Sequence, residues 1–354
     1  MKLIAFYLPQ FHETEENNRW WGKGFTEWTN TRKAQPLFPG HDQPKEPYQD
    51  YYYDLTDESS RAWQAQIARQ YGIYGFCYYH YWFKGKRFLH KPLDAVLQNG
   101  EPDFPFCLSW ANDPWTRTWT GSNHEVLAGQ DYGEEADWKE HFEFLLTVFK
   151  DKRYIKVENK PLFLIYRPSD IPRCEEMLEC WRKLAEEHGL DGIYVVQTLN
   201  RFHNPDLKGF DARVEFEPGY TMFLTSGIHC GRSVDGYKQK FELMDYDKYW
   251  SYILDRERDN AALKTYLGAF LDWDNSARVG GRWPLIFTGS TPKKFCTYLT
   301  RQINRSLEIN SDLLFINAWN EWGEGTYLEP DKKHGYQYLE AVKKAMENNG
   351  FLVR

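Results

Sequence analysis

Eight short runs of aliphatic and aromatic residues recur along the chain: Leu3–Leu8, Ile73–Tyr79, Phe104–Trp110, Leu162–Arg167, Ile193–Thr198, Ala212–Phe216, Leu267–Trp273 and Leu313–Trp319. They are nearly continuous in apolar character rather than alternating, which predicts parallel strands covered on both faces. Between them, apolar positions return at helical spacing over Ser59–Tyr71, Ala136–Lys150, Cys174–His188, Lys248–Arg258, Pro292–Arg305 and Tyr336–Asn348. Gly72 and Gly189 follow two of these stretches, where a left-handed cap ends a helix. The helical signal is weaker after the second run, where Lys91–Gln98 is short, and after the fifth, where Asn204–Lys208 is hardly one turn. This alternation predicts an α/β fold, and eight repeats in 354 residues predict a (β/α)8 TIM barrel with enlarged βα loops. No linker or internal repeat divides the chain, so residues 1–354 are expected to form a single barrel domain.

The inserts Pro9–Gln49, His80–His90 and Ala111–Glu135 all follow strands, so in a barrel they rise from the C-terminal face, where the active sites of this fold lie. They carry Trp20, Trp21, Trp28, Trp82, Trp115 and Trp119. Large loops need small cores of their own, but the shared location favours a ring-lined cleft. Composition sharpens that expectation, because 18% of the chain is aromatic while mean hydropathy is −0.72, more rings than the core of so polar a chain requires. Ring-lined clefts suit carbohydrates, whose C–H faces stack on aromatics while their hydroxyls bond to carboxylates, amides and indoles.

A carbohydrate is therefore the expected partner. The net charge of −7 and the lack of a Lys/Arg stripe argue against nucleic acid. No window approaches the roughly 20 apolar residues of a membrane span, and nothing points to a protein partner. The opening MKLIAFYLPQF reads as a buried strand rather than a signal peptide, giving a cytoplasmic expectation; a periplasmic or exported chain whose signal was removed is the alternative. Six scattered cysteines without a C-x-x-C pair read as buried thiols, so no metal or other cofactor is expected.

Candidate chemistry concentrates in Asn317-Ala-Trp-Asn-Glu-Trp-Gly-Glu-Gly-Thr326, directly after the last strand. Glu321 and Glu324 lie three apart at the presumed barrel mouth, flanked by Trp319 and Trp322, whose rings would exclude water and raise a neighbouring carboxyl. Gly323 and Gly325 allow backbone conformations that could aim both carboxylates at one substrate. A glycosidase needs this division between a proton donor and a base or nucleophile. Helix capping or ion pairing explains most Glu pairs, but the strand-end position and the Trp/Gly context favour chemistry here.

The segments Ile4-Ala-Phe-Tyr-Leu-Pro-Gln-Phe-His12, Gly24-Phe-Thr-Glu-Trp28, Gly75-Phe-Cys-Tyr-Tyr-His-Tyr-Trp82, Trp110-Ala-Asn-Asp113 and Asn317–Gly325 resemble the WbsX-type proteins. That group is similar to glycoside hydrolase family 99, the endo-α-mannosidases and endo-α-mannanases. The resemblance runs from residue 1 to about residue 335 and implies a (β/α)8 barrel and a retaining glycosidase, endo- or exo-acting, for α-mannoside-like linkages. It implies that Glu321 is the base taking the proton of the sugar's own 2-hydroxyl, giving a 1,2-anhydro sugar, and that Glu324 is the general acid/base. Gly323 stands where the endomannosidase form Glu-Trp-His-Glu has histidine, a difference that bears on the leaving-group subsites. The 2-hydroxyl route is physically reasonable, since the attacking oxygen is already held beside the anomeric carbon.

Polar residues at strand ends complete the expected substrate-binding set: Tyr7, Gln10, His12, His80, Asn112, Asp113, Arg167, Gln197, Glu215 and Asp272, with Asn320 in the acidic motif and Trp28, Trp82, Trp110 and Trp319 as ring contacts. Two other function classes fit parts of the pattern. Asp272-Trp-Asp274 and Asp245-Tyr-Asp247 spell the D-x-D of cation-dependent glycosyltransferases, as in bacterial cell-surface polysaccharide synthesis, although Asp245 and Asp247 also sit where a helix begins. A non-catalytic carbohydrate-binding protein would share the aromatics without needing the acid pair.

Overall fold

The computed structural model describes residues 1–117, 122–202, 204–226, 231–234, 240–257, 263–279 and 283–353, with backbone only at 117, 122–124 and 231–234. Trp119, Cys230 and Arg258 lie outside the described residues or their side chains.

The apolar runs form eight parallel strands: β1 (Lys2–Tyr7), β2 (Ile73–Phe83), β3 (Phe106–Trp110), β4 (Lys160–Ile165), β5 (Tyr194–Leu199), β6 (Ala212–Glu215), β7 (Lys264–Phe270) and β8 (Leu313–Asn317). Each pairs with the next in chain order, and β8 pairs back onto β1 with Lys2 opposite Leu313, so the sheet closes. Closure removes every sheet edge. Side chains fill the interior, where the Phe6 ring sits 4.9 Å from Phe216, 5.7 Å from Phe315 and 5.9 Å from Tyr79. The barrel interior is thus a packed core.

Ten helices are described: α1 (Glu15–Trp21), α2 (Glu27–Lys33), α3 (Glu58–Gln70), α4 (Lys91–Asn99), α5 (Glu135–Phe149), α6 (Cys174–Glu187), α7 (Gly219–Leu224), α8 (Tyr246–Asp255), α9 (Pro292–Glu308) and α10 (Gln337–Asn348). Their ends follow local chemistry. Thr291 caps α9 by accepting from Lys294 N–H at 3.2 Å, with Pro292 at the first helical position. Gly72 and Gly189 take the expected left-handed conformation, at φ 90° and 78°. Among the described residues no helix follows β5, in keeping with the weak signal there.

The insert after β1 holds the two short helices α1 and α2, which seven residues of amphipathic pattern were too few to announce. Thr14 accepts from Asn17 N–H to start α1, and Thr26 and Thr29 form a reciprocal box at the start of α2. Residues 80–83, expected in a loop, extend β2 and turn back through a hairpin with Lys86–Phe88. A small sheet, Gly231–Val234, Phe241–Asp245 and Leu285–Thr288, was also not foreseen. Cys77, Cys107, Cys174, Cys180 and Cys296 are free thiols.

Candidate active site

Every strand contributes to one cavity of about 390 Å³ from its C-terminal end: Gln10 after β1, Tyr79 and Tyr81 on β2, Asp113 after β3, Tyr166 after β4, Arg201 and Phe202 after β5, Phe216 after β6, Trp273 and Arg278 after β7, and Glu321 and Glu324 after β8. Trp21 and Trp115 from the long loops complete its aromatic wall. The acid pair and an abundance of rings therefore meet where the topology places active sites.

The loop carrying the acids is anchored on several sides. Asn320 binds both backbone groups of Leu8, accepting from its N–H at 2.7 Å and donating to its C=O at 3.0 Å. Asn320–Glu321 pairs with Thr326–Tyr327 around a tight turn at Trp322–Glu324. Trp322 stacks on Tyr327 at 3.7 Å, packs 5.2 Å from Trp28, and donates its indole N–H to Glu329 at 2.7 Å. The Glu324 carbonyl accepts from Asp274 N–H at 2.7 Å, and the Asp274 side chain is held by His41 and Gln43, each at 2.7 Å. Gly325 has φ 67°, and a Cβ there would press on the Asp274 backbone.

A single guanidinium joins the carboxylates. Arg278 Nη2 donates to Glu27 Oε1 at 2.6 Å and to Glu321 Oε2 at 2.7 Å, while Nη1 lies 2.8 Å from Glu324 Oε1. Burial pushes the Glu321 carboxyl up to about 8; Arg278 opposes this, and the nearby Glu324 and Glu27 reinforce it. Burial works against the Arg278 charge, but the three carboxylates outweigh it and hold its pKa well above the ordinary value. Burial, and after it the Glu321 charge, also push the Tyr79 and Tyr81 phenols well up, leaving both as O–H donors at the wall.

Among the sequence-predicted residues, Glu321, Glu324, Gln10 and Asp113 line the cavity. The others do not. Tyr7 donates to Gln64 of α3, His80 bonds to His141 of α5 at 2.9 Å, Trp82 stacks on the same His141, and Trp110 packs on His141 and Trp181. Glu215 pairs with Arg256 beyond α8. These side chains point outward to the helices because successive strand residues alternate between faces. The inward neighbours are Tyr79, Tyr81, Ala111 and Phe216. Burial pushes His80 down to about 3, so it is neutral there.

The remaining predicted residues brace loops. His12 contacts the Pro9 carbonyl, Trp28 donates to the Tyr53 carbonyl, and Gln197 donates to the Pro205 carbonyl. Asn112 bonds both backbone groups of Arg167, whose guanidinium pairs with Asp113 and Asp170. Trp319 is buried against Phe76, Asn320 clamps Leu8, and Asp272 accepts from Trp273 N–H. Trp273, between the two noted aspartates, is the residue of that trio that lines the cavity. Glu27 and Arg278 were not singled out from the sequence. Glu27 lies within the Gly24–Trp28 segment, and the signal for Arg278 was a lone cation just after a strand end.

The family described as Glycosyltransferase WbsX is matched over residues 3–342. The chain belongs to this family. Proteins from two strains of Xanthomonas campestris pv. campestris, both named "Uncharacterized protein WxcX", are 35% identical to this WbsX-family chain over 352 residues, which is 97% of it and 49% of theirs. The chain thus spans about half the length of these curated relatives. Among solved structures, a "Glycoside hydrolase-like protein" aligns with a TM-score of 0.62 at 14% identity, covering 97% of this chain and 93% of that one. The GH99 endo-alpha-mannosidase from Bacteroides thetaiotaomicron aligns with a TM-score of 0.58 at 13% identity, covering 98% and 97%. These likenesses establish a glycosidase-like barrel fold.

Among the described residues, no group of three or more His, Cys, Asp or Glu is placed to hold a metal ion, and no helix is long and apolar enough to cross a membrane. Asp245 caps α8 by accepting from Lys248 N–H, and Asp247 binds Lys294, so one D-x-D is engaged by protein groups. The other is engaged too, through the bonds that Asp272 and Asp274 make within the chain.

Proposed function

We propose that this WbsX-family chain is a retaining glycoside hydrolase acting on α-linked, mannoside-like bonds of an oligosaccharide or polysaccharide. One observation carries the reading: Glu321 and Glu324 face one aromatic cavity at the barrel mouth and share the Arg278 guanidinium. In the proposed reaction Glu321 takes the proton of the 2-hydroxyl as that oxygen attacks the anomeric carbon, and Glu324 protonates the departing glycosidic oxygen. The 1,2-anhydro sugar then opens as water attacks the anomeric carbon and breaks its bond to the 2-oxygen, with Glu324 taking the water's proton and Glu321 returning its proton to that oxygen, so two inversions leave the configuration retained. The Tyr79 and Tyr81 hydroxyls and the Trp273 ring suit a sugar's oxygens and C–H face. The test is incubation of defined α-mannosides and bacterial polysaccharide fragments with the parent chain and with Glu321→Gln and Glu324→Gln. Cleavage by the parent, with binding but little turnover in the variants, is expected; undiminished turnover in either variant would overturn the assignment.

The family description favours a second reading, a glycosyltransferase. Its test is a sugar nucleotide with Mn²⁺. Nucleotide release that a chelator abolishes would support it, and cleavage indifferent to chelator supports the hydrolase.

A further inference from the structure

We propose that Glu27 and Arg278 are positioning residues for the acid pair: Glu27, seated in the space over Gly323, anchors one edge of the Arg278 guanidinium so that its other N–H groups hold Glu321 and Glu324 together at the cavity wall. The inference deepens the hydrolase reading and rests on it for its catalytic consequence.

Glu27 does not line the cavity. It is 1% exposed, fixed on α2, and accepts from Gln10 Nε2 at 3.2 Å. Any effect it has on a substrate must pass through Arg278, which does line the cavity. Gly323 makes this seating possible. A Cβ at 323 would overlap Glu27 Oε1, with Arg278 Nε only 3.3 Å away, so even alanine competes with Glu27 for its place. The glycine is needed for close approach rather than for a left-handed backbone. Both hydrogens of Arg278 Nη2 are committed, one to Glu27 and one to Glu321, while Nη1 serves Glu324. Only a planar fork can grip three carboxylates in this way; a lysine ammonium would keep the charge and lose the geometry.

The charged and titratable groups facing Glu321 come from four places. They are Arg278 after β7, Glu27 on α2, Glu324 in its own loop, and the phenols Tyr79 and Tyr81 on β2. Within this set Glu27 and Arg278 act on Glu321 in opposite directions. Glu27→Gln removes a like charge and frees Arg278 for Glu321, which makes Glu321 more acidic. Arg278→Gln removes the opposing charge and makes Glu321 less acidic. A purely structural role for either residue gives no such pair of opposed shifts.

The experiment is a pH titration of ¹³C-labelled glutamate carboxyls by NMR in the whole chain, with the Glu321 signal assigned by its loss in Glu321→Gln. The parent midpoint is expected near 8. Glu27→Gln should lower it by about one pH unit, and Arg278→Gln should raise it. Gly323→Ala, whose new methyl group displaces Glu27, should lower it like Glu27→Gln and add little when combined with Glu27→Ala. Should Arg278→Gln fail to fold, Glu27→Gln and Gly323→Ala decide alone. An unmoved Glu321 midpoint in both, or movement upward, overturns the inference whatever the chain cleaves. Expected shifts in a protein that cleaves no glycoside would instead overturn the hydrolase reading and leave the positioning role intact. In an active enzyme, the pH limb of kcat/KM should move with the NMR midpoint.

Discussion

Glu321 feels two opposed effects: withdrawal from water, which favours the neutral acid, and the Arg278 guanidinium, which favours the carboxylate. Withdrawal from water wins, with the Glu324 and Glu27 charges behind it, and pushes the group up to about 8, toward the neutral acid. If Glu321 is the base, only the ionised fraction can react. Glu324 must at the same moment carry the proton that it donates, so we predict a bell-shaped kcat/KM profile whose rising limb is the ionisation of Glu321; a profile with no rising limb would contradict the base's role. Glu324→Gln should reduce kcat by roughly 10²–10⁴-fold on a poor leaving group and much less on an activated aryl glycoside, which needs no proton. An equal loss on both substrates would contradict the acid's role. The acid pair was legible in the sequence because its whole signal lies within ten residues after one strand. Glu27 and Arg278 were not, since their bond joins positions 251 apart and no local pattern marks it.

At the scale of elements, strand positions were legible but strand faces were not. A strand that is apolar on both sides has no alternation to show which residues look inward. His80 and Trp82 were accordingly expected in the cavity, where Tyr79 and Tyr81 stand. The turn after β8 depends on Glu329, which accepts from Tyr53, Gln64 and Trp322 at 2.7 Å each. An amide offers a donor where a carboxylate only accepts, so Glu329→Gln should cost about 1–3 kcal/mol of unfolding free energy, measured with urea. Burial also raises Glu329 to about 7 from an ordinary 4.5, and Glu321 to about 8. Both groups bind a proton more tightly in the folded chain. Their favourable contribution is therefore complete below about pH 4.5 and is lost as pH rises through 7 and 8. The urea midpoint of the parent should fall across that window, and in Glu329→Gln the part of the fall below 7 should shrink. An equally steep fall in the variant would show that Glu329 does not titrate in this window.

At the scale of the molecule, alternation of apolar runs with helical stretches was sufficient to foresee eight strands and the closed barrel. The small sheet that includes Phe241–Asp245 and Leu285–Thr288 escaped notice because its strands are short and come from two different inserts, one between β6 and β7 and one between β7 and β8. Closure places eight strand ends around one cavity, so a ligand there should stabilise the whole barrel. Glu324→Gln, which should bind without cleaving, is predicted to gain about 2.7 kcal/mol with substrate at 100 times its Kd, read by thermal unfolding. An oligosaccharide that is cleaved by the parent yet leaves the variant's unfolding unchanged at saturating concentration would place the binding site elsewhere. Whether Glu321 and Glu324 act together on the 2-hydroxyl and the glycosidic oxygen of one sugar is read by ¹H NMR of the first product from a defined α-mannoside. The α-anomer should appear first and then mutarotate. A β-anomer appearing first would contradict that joint action.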